Sequence, residues 1–150
     1  MKPKQKVFLD ASCWVAAALS RTGGSRFILA LAKEGHIEVL ATKLIVIQTV
    51  KALGEKCGSD ELRDFLKLFS IVSPTIVEDA TDEDKACWSD VTHEDDCHVL
   101  AGALKGGADV LVSLDRKHVV TEKVASRFPV PTMTTKEFLD WFMEKVEEKS

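Results

Sequence analysis

Two short apolar runs, each closed by an aspartate, constrain the fold of this chain more than anything else in it. Val7-Phe8-Leu9 ends at Asp10, and Val110-Leu111-Val112 leads through Ser113 and Leu114 to Asp115. Neither run alternates apolar with polar residues, so neither has one wet face. Continuous runs this short are strands buried on both sides, as in a parallel sheet covered by helices. The segments around them supply those helices. The pattern predicts helices over 12–19, 25–32, 42–56, from Ser59 onward, over 95–105 and from Thr134 onward. Leu62, Phe65, Leu66 and Phe69 form the buried face of the fourth, and Val99, Leu100, Ala103 and Leu104 that of the fifth. The second run extends over 109–114, and further strands are expected at 37–41, at 71–77 interrupted by Pro74, and near Val130. Glycines at 23–24, 35, 58 and 106–107 punctuate the pattern, and Thr134-x-x-Glu137 is a capping box. Strands separated by helices give an α/β chain: a single-domain, three-layer α/β/α fold over 1–150 with a central, mostly parallel sheet.

Length and composition agree. A chain of 150 residues buries roughly 70% of its unfolded surface and needs neither a disulfide nor a structural metal to hold a core. Cys13, Cys57, Cys87 and Cys97 are scattered without a C-x-x-C pair, which fits a reducing, cytoplasmic setting. No apolar run approaches the ~20 residues of a membrane span, and the first is too short for a secretion signal. With 20 basic and 24 acidic residues, the chain lacks the cationic excess that drives nonspecific duplex binding. A nucleic acid substrate stays open.

The chemistry is expected at one rim. Ligands of such sheets bind beyond the carboxyl ends of the strands, where Asp10 and Asp115 both project. The helix leading into the second strand begins at the same rim, and its Asp96 shares a face with Leu100 and Ala103, whereas Asp95 turns to solvent. Each aspartate alone also reads as a helix cap or a partner for a helix dipole. Three together carry a different meaning, since two carboxylates about 4 Å apart repel by ~4 kcal/mol at an effective dielectric near 20. A cation must offset that repulsion. Hard oxygen donors, with no suitable histidine or cysteine nearby in these motifs, point to Mg²⁺ or Mn²⁺ and to phosphodiester hydrolysis.

Asp10-Ala11-Ser12, Asp96-x-x-x-Leu100-x-x-Ala103, and Gly107-Ala108-Asp109-x-Leu111-Val112-Ser113-x-Asp115-Arg116 together resemble PIN domains, small metal-dependent ribonucleases known as the toxins of VapBC toxin/antitoxin modules. The resemblance implies that Asp10, Asp96 and Asp115 hold Mg²⁺ or Mn²⁺, that Ser113 supports them by hydrogen bonding, and that RNA is the substrate. It also implies a homodimer and an antitoxin that lays a chain across the cleft with a cation among the acids. Ser12, Ser113, Arg116, Lys117 and Arg21 are then candidate substrate contacts. PIN domains usually carry a glutamate five residues before a leucine in the third helix. Here Leu53 is that leucine and Gln48 stands in the catalytic position. Glutamine keeps a carbonyl oxygen for metal or water but brings no charge and cannot act as a base. Many members also have a further acid after the last aspartate, where Arg116, Lys117 and His118 stand here. Two readings follow: a ribonuclease with weakened metal binding, or a PIN-like domain that binds RNA or a protein without cleaving.

Other signals lead elsewhere. Cys87, His93, Cys97 and His98 match no zinc spacing, so Cys97 is expected to pack and His98 to face out. Cys13 reads as core. Haloacid-dehalogenase-like phosphatases need an aspartate two residues after the first, where this chain has Ser12. The terminal stripe of Phe138, Leu139, Trp141, Phe142 and Val146 is expected to pack on the body, with part of it available to a partner.

Overall fold

The computed structural model describes residues 3–148, Lys56 by its backbone alone, so the outermost residues of the expected 1–150 span lie outside the described residues. Five strands, β1 (Gln5–Leu9), β2 (Ile37–Thr42), β3 (Thr75–Val77), β4 (Val110–Val112) and β5 (Thr132–Met133), form one parallel sheet in the order β3-β2-β1-β4-β5. The two apolar runs lie side by side at its centre, with Val7 opposite Val110 and Leu9 opposite Val112, all fully buried. Burial on both faces is what their unbroken apolar character required.

Helices α1 (Ala11–Leu19), α2 (Gly24–Lys33), α3 (Lys43–Lys56) and α4 (Ser59–Val72) pack on one another and, through α2, against α8 (Thr135–Glu148). The other helical layer holds α5 (Asp82–Ala86) and α6 (Cys97–Lys105), with α6 against β2 and β4; the short α7 (Glu122–Arg127) links β4 to β5. The three-layer α/β/α architecture expected from the sequence is the one observed. Trp14 of α1 is buried edge-on against Phe65 of α4, with Phe69 beside it. The Thr134–Glu137 capping box is formed, each residue's side chain accepting from the other's backbone N–H. Gly107, at φ 71°, closes α6 and turns the chain into β4. Among the described residues no helix is long and apolar enough to cross a membrane.

Four expectations are corrected. The strand expected at 71–77 begins only at Thr75, because Val72 extends the buried row of Leu62, Phe65 and Phe69 and keeps the chain helical. Ser73, in the left-handed region at φ 50°, then ends the helix ahead of Pro74, which disfavours helical geometry in the residue before it. Leu66 is 54% exposed, since the buried row of α4 is centred on Phe65 and leaves Leu66 at its margin. Leu104, in the last turn of α6, is likewise exposed.

His98 does not face out. It is buried, because α6 is enclosed on all sides from Cys97 to Ala103 rather than along one stripe. Neither ring nitrogen has a hydrogen-bond partner among the described residues. Burial, with the charge of Lys85 adding to it, holds the imidazole pKa below its ordinary 6.5. The unfolded chain therefore takes up this proton before the fold does, so stability falls as pH drops through 6.5. His98→Leu should raise stability by about 1 kcal/mol at neutral pH, by removing two unpartnered polar atoms, and flatten the loss as pH drops below 6.5. Urea midpoints across that range measure both effects; a variant with the wild-type slope would show that His98 is not their source.

Candidate metal centre

β1 and β4 end side by side, and the ladder continues one step beyond them: the Asp10 N–H donates to the Val112 carbonyl at 3.3 Å. This pairing brings two distant segments into register. Asp10, buried, caps α1 by accepting from the Cys13 N–H through Oδ1. Its two oxygens also accept hydroxyl hydrogen bonds, Oδ1 from Ser12 and Oδ2 from Ser113. The same hydroxyls hold the opposite loop, Ser12 Oγ accepting from the Leu114 N–H at 3.1 Å and Ser113 Oγ from the Asp115 N–H at 3.0 Å. Two serines thus clasp the ends of β1 and β4 around one carboxylate.

Asp115 divides its work between its two oxygens. Oδ1 accepts from the N–H groups of Lys117 and His118, each at 2.9 Å, and pins the turn that follows β4. Oδ2 lies 3.4 Å from His118 Nδ1. Asp96 closes a 3-10 turn (Glu94–Asp96) and holds the N-cap position of α6, yet its side chain makes no capping hydrogen bond. Its Oδ2 lies instead 3.6 Å from His118 Nδ1. One ligand atom each from Asp96, Asp115 and His118 fall within 4.8 Å of one another.

The electrostatics record this crowding. Burial holds the Asp10 carboxyl above its ordinary 3.8, against the Ser113, Ser12 and Cys13 hydrogen bonds, and the charge of Asp115 adds to it. Asp96 is also raised, first by burial and then by Asp115, with Asp10 contributing and His118 opposing. All three aspartates therefore feel one another, although Asp10 stands outside the tight group of Asp96, Asp115 and His118. Two carboxylates and an imidazole this close fit a divalent cation.

The model of the PIN domain matches residues 6–117, three quarters of the chain and every aspartate named above. The chain belongs to the PIN domain family. No curated protein matches its sequence. Among solved structures, PAE2754 from Pyrobaculum aerophilum aligns with a TM-score of 0.62 at 17% identity, covering 93% of this chain and 90% of that one. VapC20 from Mycobacterium tuberculosis, a toxin that cleaves the sarcin-ricin loop, aligns at 0.53 and 17%, covering 81% and 95%. VapBC2 from Rickettsia felis, bound to a DNA fragment from its promoter, aligns at 0.59 and 11%, covering 87% and 98%. At these identities the likeness is one of fold.

Within this PIN domain the other expected residues are dispersed. Gln48 sits half-buried in the second turn of α3, whose start at Thr42 lies at the same rim, but among the described residues no hydrogen bond joins it to the acids. Lys117 lines a cavity of about 270 Å³ beside the cluster, together with Asp90, Thr92, His93, His118 and Lys123. Arg116 is exposed and its charge is felt by Glu137 at the start of α8. Arg21 is not brought to the acids. α1 carries the chain away from Asp10, and Arg21 lies beyond its far end beside Arg26, Asp64 and Lys67. His118 is the residue that sequence reasoning passed over, having read it only as a missing acid. The signal was the spacing Asp115-x-x-His118, which places both side chains on one side of a tight turn.

Proposed function

We propose that this PIN domain is a divalent-metal-dependent ribonuclease hydrolysing phosphodiester bonds of RNA, and that it acts as the toxin of a toxin/antitoxin pair in the cytoplasm. The observation that carries the nuclease reading is the gathering of Asp96 and Asp115 beside buried Asp10 at the carboxyl rim of β1 and β4. Asp10 and Asp115 also cap α1 and pin the turn after β4, but those roles do not require the three carboxylates to converge, and converged carboxylates are costly without a cation.

Asp10, Asp96 and Asp115 would hold Mg²⁺ or Mn²⁺, which when bound lowers the pKa of a water and offsets charge developing on phosphate oxygens. The remaining work belongs to the chain's own side chains. Ser12 and Ser113 fix the rotamer of Asp10, so its position does not depend on the ion. Lys117 and Lys123, on the adjoining cavity, and Arg116 offer cations to an RNA backbone that would otherwise be repelled by the acids. Gln48 contributes an amide and no base. The second half of the proposal draws on the names of the similar structures, VapC20 being a toxin and VapBC2 a pair bound to its promoter. It predicts an antitoxin partner and a homodimer, seen as growth arrest on expression that a co-expressed antitoxin relieves.

Single-stranded RNA incubated with the purified protein tests the activity. Cleavage is expected with Mg²⁺ or Mn²⁺, to vanish with EDTA and in Asp10→Asn. Gln48→Glu should raise cleavage severalfold, roughly the effect of one more charge near the ion, and calorimetry should show tighter ion uptake. RNA retained but uncut under every ion would establish the second reading, a binding domain without catalysis, which the amide at Gln48 favours.

A further inference from the structure

We infer that the His118 imidazole is a direct ligand of the ion held by Asp96 and Asp115, and that this mixed nitrogen and oxygen donor set makes the centre prefer Mn²⁺ to Mg²⁺. The inference rests on the metal-dependent reading above and specifies what that centre binds.

The geometry is that of donors awaiting an ion. His118 Nδ1 stands 3.6 Å from Asp96 Oδ2 and 3.4 Å from Asp115 Oδ2. These separations are long for hydrogen bonds, and neither approach makes one. Donors bound to one ion at about 2.0–2.2 Å stand about 3.0 Å apart at a right angle and about 3.4 Å apart at the tetrahedral angle. The two histidine–carboxylate separations therefore match the spacing of donors on one ion, and the third side of the triangle lies within 4.8 Å.

His118 is also held in place through its backbone and its ring. Its backbone N–H donates to Asp115 Oδ1, its carbonyl accepts from the Thr92 hydroxyl, and its ring lies tilted against that of His93 with centroids 5.1 Å apart. These contacts fix where the residue stands, with Nδ1 the ring nitrogen that faces both carboxylates.

Donor chemistry then decides between ions. Mg²⁺ requires a near-ideal octahedron and favours oxygen throughout, keeping several waters. Imidazole suits first-row transition ions, and Mn²⁺, the hardest of these, is the one that shares with Mg²⁺ a preference for carboxylate and water while still accepting a nitrogen donor. A centre of two carboxylates and one imidazole, with Asp10 beside it, discriminates against Mg²⁺.

Calorimetric titration of the full-length protein with Mn²⁺ and with Mg²⁺, and pulsed electron paramagnetic resonance of the Mn²⁺-loaded protein, test this. Nitrogen hyperfine coupling at Mn²⁺ is expected in the wild type and absent in His118→Ala. That variant should lose about tenfold or more in Mn²⁺ affinity with a smaller change for Mg²⁺. The wild-type spectrum carries the test alone if the variant fails to fold. Mn²⁺ uptake without nitrogen coupling, at an affinity unchanged in His118→Ala, would overturn the role of His118 and leave the metal-dependent reading intact. No uptake of either ion, or uptake that persists in Asp115→Asn, would overturn both.

Discussion

Asp115→Asn is expected to lower RNA cleavage by about 10²- to 10³-fold, the scale on which single electrostatic groups at reacting phosphates and carbonyls act. The substitution separates two roles that the wild-type carboxylate combines. Asparagine keeps an oxygen that can accept from the Lys117 and His118 N–H groups, so the turn after β4 survives. What disappears is the charge facing Asp96 and His118. The metal-free variant should therefore be at least as stable as the wild type. Asp10 and Asp96, both held above 3.8, keep protons in the fold that the unfolded chain has already released. Metal-free stability accordingly falls as pH climbs from 3.8 through their raised pKa values, and the fall should be shallower once Asp115 no longer adds to both shifts. Added Mn²⁺ should raise the melting temperature of the wild type far more than that of the variant, because only a folded state that binds the ion gains from it. Undiminished cleavage by a correctly folded Asp115→Asn protein would refute the proposed centre.

Trp14→Ala is the substitution with the largest expected effect on stability. Trp14 is 1% exposed and holds α1 to α4 through Phe65 and Phe69, with ring centroids 5.8 and 5.4 Å away. Truncating a side chain of this size in a filled core costs about 3–5 kcal/mol, a large share of the ~5–15 kcal/mol that typically holds a domain together. Trp14→Phe should cost much less, since the indole N–H has no partner among the described residues and its loss breaks no hydrogen bond. Urea unfolding measures both. The loss extends to function, because α1 begins at Asp10 and a loosened helix releases the carboxylate that Ser12 and Ser113 hold.

Much of this arrangement was legible in the sequence, for identifiable reasons. Val7-Phe8-Leu9-Asp10 and Val110-Leu111-Val112 state burial on both faces without ambiguity, and that fixes a parallel sheet. Asp96 was placed correctly by its shared face with Leu100 and Ala103, since helical spacing is a local property. What escaped was whatever depends on enclosure by several elements at once. His98 has an exposed-looking place in the pattern, and only α5, β2 and β4 packing around α6 decide otherwise. Arg21 was expected at the rim as a cation in the loop after the first helix, but a helix of nine residues carries that loop to the other end of α1, away from Asp10. His118 lay one turn beyond a motif that looked complete with its aspartate.

The centre depends on β1 meeting β4, and the residues that meet are about a hundred positions apart along the chain. Contacts of that span form late and slowly compared with those inside helices. Asp10 leaves the ribosome early, but it has no Ser113 or Asp115 to join until about a hundred more residues have been added. A copy that stops between residues 106 and 112 contains every helix from α1 to α6 and yet no assembled cluster. A cell making this protein would face its chemistry only from molecules extended past Asp115.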